Sequence, residues 1–244
     1  MKGIIFRSDI LKAKLAVLEK YGEAQTRRIH SLKWLNSDPD FVEFVRMEDG
    51  LAVFHKLRNS QAGYGDCFPN APVKSEGADP NVLFYFEPRY QVGETVYIKE
   101  AWQIGAFKYQ EWADINFKLD HTMQRVTWND WLEKHTKYGG STCSNGDKWR
   151  SPLFMPEWAA RHFIKIKDVK AERLQEITEE DAIAEGCIDD FEIVYIHDQE
   201  DYRGLYAREH YARLWDSINP KHPFVLNEWV WRIEFKLAEE VREK

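Results

Sequence analysis

The stretch that most constrains this chain runs from Lys148 to Gly186, KWRSPLFMPEWAARHFIKIKDVKAERLQEITEEDAIAEG. Within it, His162 to Val169 alternates. Ile164 and Ile166 stand opposite Lys165 and Lys167, the period of a strand with one covered face. Thr178 and Asp181 then fall at capping-box spacing, ahead of a short acidic helix that Gly186 ends. Near the N-terminus, Gln25 to Ile29 (QTRRI) is a second extended piece, polar and basic. Strand alternation puts Thr26 and Arg28 on one side and Arg27 on the other.

The remaining chain supplies short elements around these two. Gly3 to Arg7 reads as an apolar strand, Ser8 caps the helix that follows, and Leu11, Leu15 and Leu18 make one apolar helical face. Gly22 stops that helix. Residues from about 31 to 89 carry Gly63, Gly65, Pro69, Pro72, Gly77 and Pro80, and read as loops with short elements and no second periodic core. Gly93 to Trp102 (GETVYIKEAW) is a strand with Val96, Ile98, Glu100 and Trp102 on one face and Tyr97, Lys99 and Ala101 on the other. Residues from about 103 to 148 form a second insertion rich in Trp, Tyr and His, and those from about 188 to 200 an acidic loop. Tyr202 to Ile218 reads as a helix with Tyr206, His210, Leu214 and Ile218 in one stripe. Trp229 to Leu237 is a strand with Trp229, Trp231, Ile233 and Phe235 facing one way. The expectation is an α+β fold: one domain over 1–244, a small and mostly antiparallel barrel with flanking helices and two long insertions.

Composition limits the functions open to such a fold. The net charge of −7 argues against coating duplex DNA through bulk electrostatics, but leaves room for a local basic patch. The cysteines Cys67, Cys143 and Cys187 are far apart and never at Cys-x-x-Cys spacing, which disfavours a thiolate zinc site and suits a reducing cytoplasm. The eight histidines show no His-x-x-x-His pattern, and no phosphate loop or dinucleotide fingerprint is present. No apolar run approaches the ~20 residues of a membrane span. No metal, cofactor or membrane is therefore expected.

Four pieces in order give this chain a likeness to a known family: IIFRSDILKAKL followed by QTRRI; YQVGETVYIKEAW; WRSPLFMPEWAARHFIKIKDVKAERLQEITEEDAIAEG; and LWDSINP with WVWRIEFK. The chain resembles the ASCH family of PUA-like barrels, in particular the larger ASCH-like proteins of phages and prophages. The resemblance covers roughly half the chain. It implies a β-barrel with a cleft beside the N-terminal helix and the polar strand, and binding of RNA or modified bases. Some small ASCH proteins deacylate N4-acetylcytidine with a lysine, a threonine and a helix glutamate. The resemblance carries the threonine onto Thr26, an arginine onto Arg28 and the glutamate onto Glu185, but the lysine position holds Glu23.

The residues themselves leave alternatives open. Glu185 is either a solvated carboxylate at an unfavourable helix end or a general base, with Thr26 as its catalytic companion. Glu100 is either buried in an ion pair with Arg28 or Arg7, or an acceptor for a base amino edge. Arg27 and Arg28 either fork onto a phosphate or carbonyl or are merely solvated. Lys99 is a further donor, and Trp102, Trp149 or Trp158 stacks on a base or fills the core. The resulting expectation is a nucleoside-, modified-base- or short-RNA-binding protein of the host cytoplasm. Its pocket would be lined by Arg7, Thr26, Arg27, Arg28, Lys99, Glu100, Trp102 and Glu185. The alternatives are an amidohydrolase of acylated cytidine, or a ribonuclease, and a phage factor that docks on a host protein through the two insertions.

Overall fold

A computed structural model describes residues 1–32, 35–37, 39–56, 83–135, 148–187 and 205–238. The acidic loop expected near 188–200, the Gly- and Pro-rich part of the first insertion, Cys67 and Cys143 lie outside the described residues. In chain order the elements are β1 (Lys2–Ile5), α1 (Ser8–Tyr21), β2 (Glu23–Arg28), β3 (Val42–Glu48), β4 (Leu51–Lys56), β5 (Leu83–Phe86), β6 (Thr95–Lys99), β7 (Trp102–Lys108), β8 (Trp112–Phe117), β9 (Met123–Thr127), α2 (Asp130–His135), β10 (Phe163–Arg173), α3 (Glu179–Ala184), α4 (Leu205–Ile218) and β11 (Trp229–Leu237). The fold is mixed α+β with mostly antiparallel pairing. Among the described residues no closed barrel is found.

The chain divides into two compact units. Unit 1 takes residues 1–12, 95–165 and 237–244; unit 2 takes 13–94 and 166–236. In unit 1, β1 runs parallel to β6, with Ile4 opposite Ile98. The start of β10 pairs antiparallel with β6, Phe163 opposite Tyr97. The second insertion folds as a meander of β7, β8 and β9. Its alternating Ala113, Ile115 and Phe117 join Trp102, Ile104, Leu132 and Met155 in an aromatic core. Trp102, Trp131 and Trp158 touch one another there, with ring centroids 5.5–6.0 Å apart. Each large ring withdrawn from water contributes about 2–3 kcal/mol, and the insertion shares this core with Trp102, Met155 and Trp158 on either side of it.

In unit 2, β2 pairs antiparallel with β11, setting Thr26 opposite Ile233, Arg27 opposite Arg232 and Arg28 opposite Trp231. The first insertion departs from the loop expectation: β3, β4 and β5 form an antiparallel sheet. Its punctuation lies between β4 and β5 and hides the strands on either side. Asp49 and Gly50 both have positive φ (50° and 76°), the backbone of a two-residue hairpin turn, and they bring Glu48 opposite Leu51. Phe54 packs edge-on to Phe44, Phe86 and Trp229. A second cluster gathers Leu174, Ile177, Ala182, Cys187, Ala207, Tyr211, Trp215 and Val230.

Two periodicities are corrected. The buried stripe of α4 is Ala207, Tyr211 and Trp215, one residue on from the expected stripe, and His210 and Ile218 are exposed. The two stripes are about equally apolar; packing of Ala207, Tyr211 and Trp215 against Leu174, Ile177, Ala182 and Val230 sets the rotation. In α1, Leu11 and Leu18 are buried as expected, but the residue between them on that face is Lys14, with only 1% of its surface exposed. Leu15 is only half-buried.

Candidate functional site

A lysine in an apolar helix face must find acceptors, because an unpaired buried ammonium is costly. Lys14 finds three, one for each of its protons. Its Nζ donates to Glu185 Oε2 at 2.8 Å, to the Glu185 carbonyl at 2.9 Å and to the carbonyl of Gln25 on β2. Glu185 is the C-cap of α3, where a carboxylate meets the negative end of the helix. The two cations it contacts, Lys14 and Arg27, offset that penalty. Gly186 follows with φ +95°, and a Cβ there would lie 2.9 Å from that of Ala13. Glycine at this position thus lets the end of α3 press onto α1 beside Lys14.

Arg27 is the hub of the cluster. Its Nε donates to Glu172 Oε1 at 2.7 Å, Nη2 to Asp181 Oδ2 at 3.0 Å and Nη1 to Glu185 Oε1 at 3.2 Å. The guanidinium carbon lies 5.9 Å from the Tyr211 ring centroid. Asp181 also closes the capping box of α3 with Thr178, so the residue that starts the helix anchors the arginine too. On β11, Arg232 reaches Asp168 at 2.7 Å and approaches Glu172 at 3.8 Å.

Burial and charge pull against each other throughout this cluster. Burial lowers the Lys14 pKa, opposed by Glu185. Burial also works against Arg27, but Glu185, Glu172, Tyr211 and Asp181 outweigh it and hold its pKa up. The Glu172 carboxyl is raised by burial despite Arg27. Asp181 is lowered: Arg27 and the Thr178 backbone outweigh its desolvation. Arg28, at the end of β2, is lowered by burial, with Glu185, Tyr90 and Tyr211 supporting its charge.

Of the residues named from sequence, Thr26, Arg27, Arg28 and Glu185 all lie in unit 2, in β2 and at the end of α3. Arg27, expected on the opposite strand face from Thr26, is the one that reaches Glu185, since side chains are covered on both faces of β2. Arg7, Lys99, Glu100 and Trp102 lie in unit 1. There Arg7 pairs with Asp9 at the surface, and Lys99 donates to the Leu153 carbonyl at 3.0 Å. Glu100 is buried as anticipated, but its partner is Arg161, which grips it through two bonds of 2.7 Å. Trp102 is fully buried in the tryptophan cluster. Glu23 is at the surface, paired with Lys167.

Sequence reasoning missed Lys14, Glu172, Tyr211 and Arg161. Lys14 did leave a signal: it stands three residues after Leu11 and four before Leu18, within their apolar face. Among the described residues, no group of three His, Cys, Asp or Glu side chains is arranged to hold a metal ion, and no helix is long and apolar enough to cross a membrane. Comparison with protein-family models, with curated proteins and with solved structures gives no match to this chain.

Proposed function

We propose that this chain is an ASCH-like protein with PUA-like strand architecture that recognises a nucleoside, a modified base or a short RNA beside β2 in unit 2. The observation that supports the reading is the sealed cluster of Lys14, Arg27, Glu172, Asp181 and Glu185. A buried ion network is often no more stabilising than apolar packing of the same volume, so stability alone gives little reason to keep one. What it supplies is positioning. It holds the Thr26–Arg28 segment at a fixed place, so that the neighbouring Arg28 guanidinium is positioned as a donor for a carbonyl or phosphate. The test is equilibrium binding of nucleosides and short oligoribonucleotides at two salt concentrations. Saturable binding, lost in Arg28→Gln at unchanged melting temperature, is expected. Absence of binding by every member of the set overturns the reading.

One observation favours a second reading, amide hydrolysis on an acylated nucleobase. The family's lysine position holds Glu23, yet an ammonium does contact Glu185, supplied by Lys14 from α1. That reaction requires the Lys14–Glu185 contact to open to water: the released Glu185 carboxylate takes a proton from water as it attacks the acyl carbonyl, the released Lys14 ammonium and Thr26 stabilise the oxyanion, and the proton passes to the departing amine. Incubation with N4-acetylcytidine decides it: release of cytidine, abolished in Glu185→Gln and Lys14→Met, supports hydrolysis, and no release leaves binding alone.

A further inference from the structure

Unit 2 holds a second polar corner that the charged cluster does not use. It is built by Arg28 at the end of β2, by His30 two residues on, and by Arg89 and Tyr90 after β5. Tyr90 is buried, with 3% of its surface exposed. The His30 ring meets it edge-on at a centroid distance of 6.1 Å, and the Arg89 guanidinium lies 5.6 Å from its centroid. The His30 segment is held firmly. Its carbonyl accepts from Trp231 Nε1 at 3.0 Å, Ser31 Oγ accepts from the same donor at 3.0 Å, and the Ser31 hydroxyl donates to the Glu87 carbonyl at 3.1 Å. Ser31 sits at φ +67°, in the left-handed region that serine rarely occupies. Within this pinned turn, His30 Nε2 is buried and has no hydrogen-bond partner among the described residues.

A buried ring nitrogen without a partner needs an explanation, and an absent ligand is one. The surrounding charge indicates what kind. Arg28 and Arg89 both act on the imidazole, and Tyr90 covers it; the carboxylates within electrostatic reach, Glu185 and Glu94, act on Arg28 and Tyr90 respectively. Two guanidinium groups acting on one imidazole whose outer nitrogen is unpartnered among the described residues suit a tetrahedral oxyanion. We infer that Arg28, His30 and Arg89 form a phosphate subsite, so that the ligand of unit 2 is a nucleotide or an RNA phosphodiester, not a free nucleoside. The inference rests on the base-recognition reading above for the rest of the ligand, but the subsite can be probed without it.

The His30 imidazole has its pKa lowered to about 4, by burial first and then by Arg28 and Arg89. An anion seated among these groups reverses the two arginine contributions. The probe is inorganic phosphate, followed by the NMR titration of His30 against a chloride control of equal ionic strength. Phosphate is expected to raise the His30 midpoint by about one unit or more, equivalent to about tenfold tighter phosphate binding to the protonated ring. The exposed Arg89→Gln variant, at unchanged melting temperature, is expected to remove that rise. An unmoved midpoint at millimolar phosphate, or a rise that persists in Arg89→Gln, overturns the subsite. Cytidine, cytidine 5′-monophosphate and a dinucleotide then separate the two claims. Tighter binding of the monophosphate or of the dinucleotide than of cytidine supports the subsite and distinguishes monoester from diester. Equal binding of all three overturns it and leaves base recognition standing. A phosphate response with no binding of any nucleoside compound supports the subsite and sinks base recognition.

Discussion

In unit 1 the Arg161 guanidinium clasps buried Glu100 and reaches out to Asp120, whose side chain is 44% exposed. In unit 2 the Arg27 guanidinium binds Glu172, Asp181 and Glu185 with its own side chain wholly buried. The first arrangement opens to water at one edge, and the second is nearly closed, its most exposed member, Asp181, being 17% exposed. The difference lies in the neighbours. Arg161 comes from the loop ahead of β10, whereas Arg27 sits in a strand covered on both faces, beside α3. Water can replace a lost partner at the open edge. Lys14, Arg27, Glu172 and Glu185 are each at most 6% exposed, so removing one of them strands its partners.

That contrast can be broken most directly at Glu185. Glu185→Ala strands Lys14 and one edge of Arg27 together, and it is expected to cost about 3–5 kcal/mol in urea denaturation. Adding Lys14→Met to Glu185→Gln should recover most of the loss, since the ammonium is gone and Arg27 keeps an amide acceptor. A Glu185→Ala cost below about 1 kcal/mol, as for surface pairs, would mean the cluster is not closed. At the open edge, Arg161→Gln is expected to cost about 2 kcal/mol, as for hydrogen bonds to charged groups. Because Asp120 is largely solvated, salt should weaken its part of that loss, whereas salt should leave the Glu185→Ala cost nearly unchanged.

Histidine titration sharpens the comparison at a smaller scale. His30 in unit 2 and His162 in unit 1 are both lowered from 6.5 to about 4, by burial first. A depressed pKa contributes stability above the unfolded value, and that stability is lost as the pH falls from 6.5 towards 4. Each residue should contribute roughly 1–2 kcal/mol to the acid limb, read as the difference between the parent and His30→Gln or His162→Gln. Phosphate should protect against the His30 part alone. The smallest effect is expected at the surface: Glu23→Gln, which breaks the solvated contact with Lys167, should leave the melting temperature unchanged, as is usual for exposed pairs.

Local signals carried well wherever the chemistry was local. Gly22, Thr178 with Asp181, and Gly186 bound their helices as anticipated, because capping depends on residues within one turn, whereas Ser8 is already the first residue of α1 and the Arg7 carbonyl accepts its first bond, from Leu11. The alternation of Trp229, Trp231, Ile233 and Phe235 gave the buried face of β11. The Asp49–Gly50 hairpin was equally local, but the glycines and prolines after it drew the whole segment into one loop reading. The phase of α4 could not be read so directly, since its competing stripes are similarly apolar and only the neighbours it packs against distinguish them.

The candidate site divides along the same line. Thr26, Arg27, Arg28 and Glu185 could be named from short stretches of sequence, but not the partners that fix their chemistry. Lys14 lies 171 residues from Glu185, and Arg27 lies 145 from Glu172. By itself the sequence determined the caps, the alternating strands and the α+β class, because backbone hydrogen bonding and side-chain period act over a few residues. Only the tertiary structure decided which charges meet, which residues belong to each unit and that Lys14 is enclosed. Burial and Coulomb attraction act through space, and spacing along the chain does not encode distance across the fold.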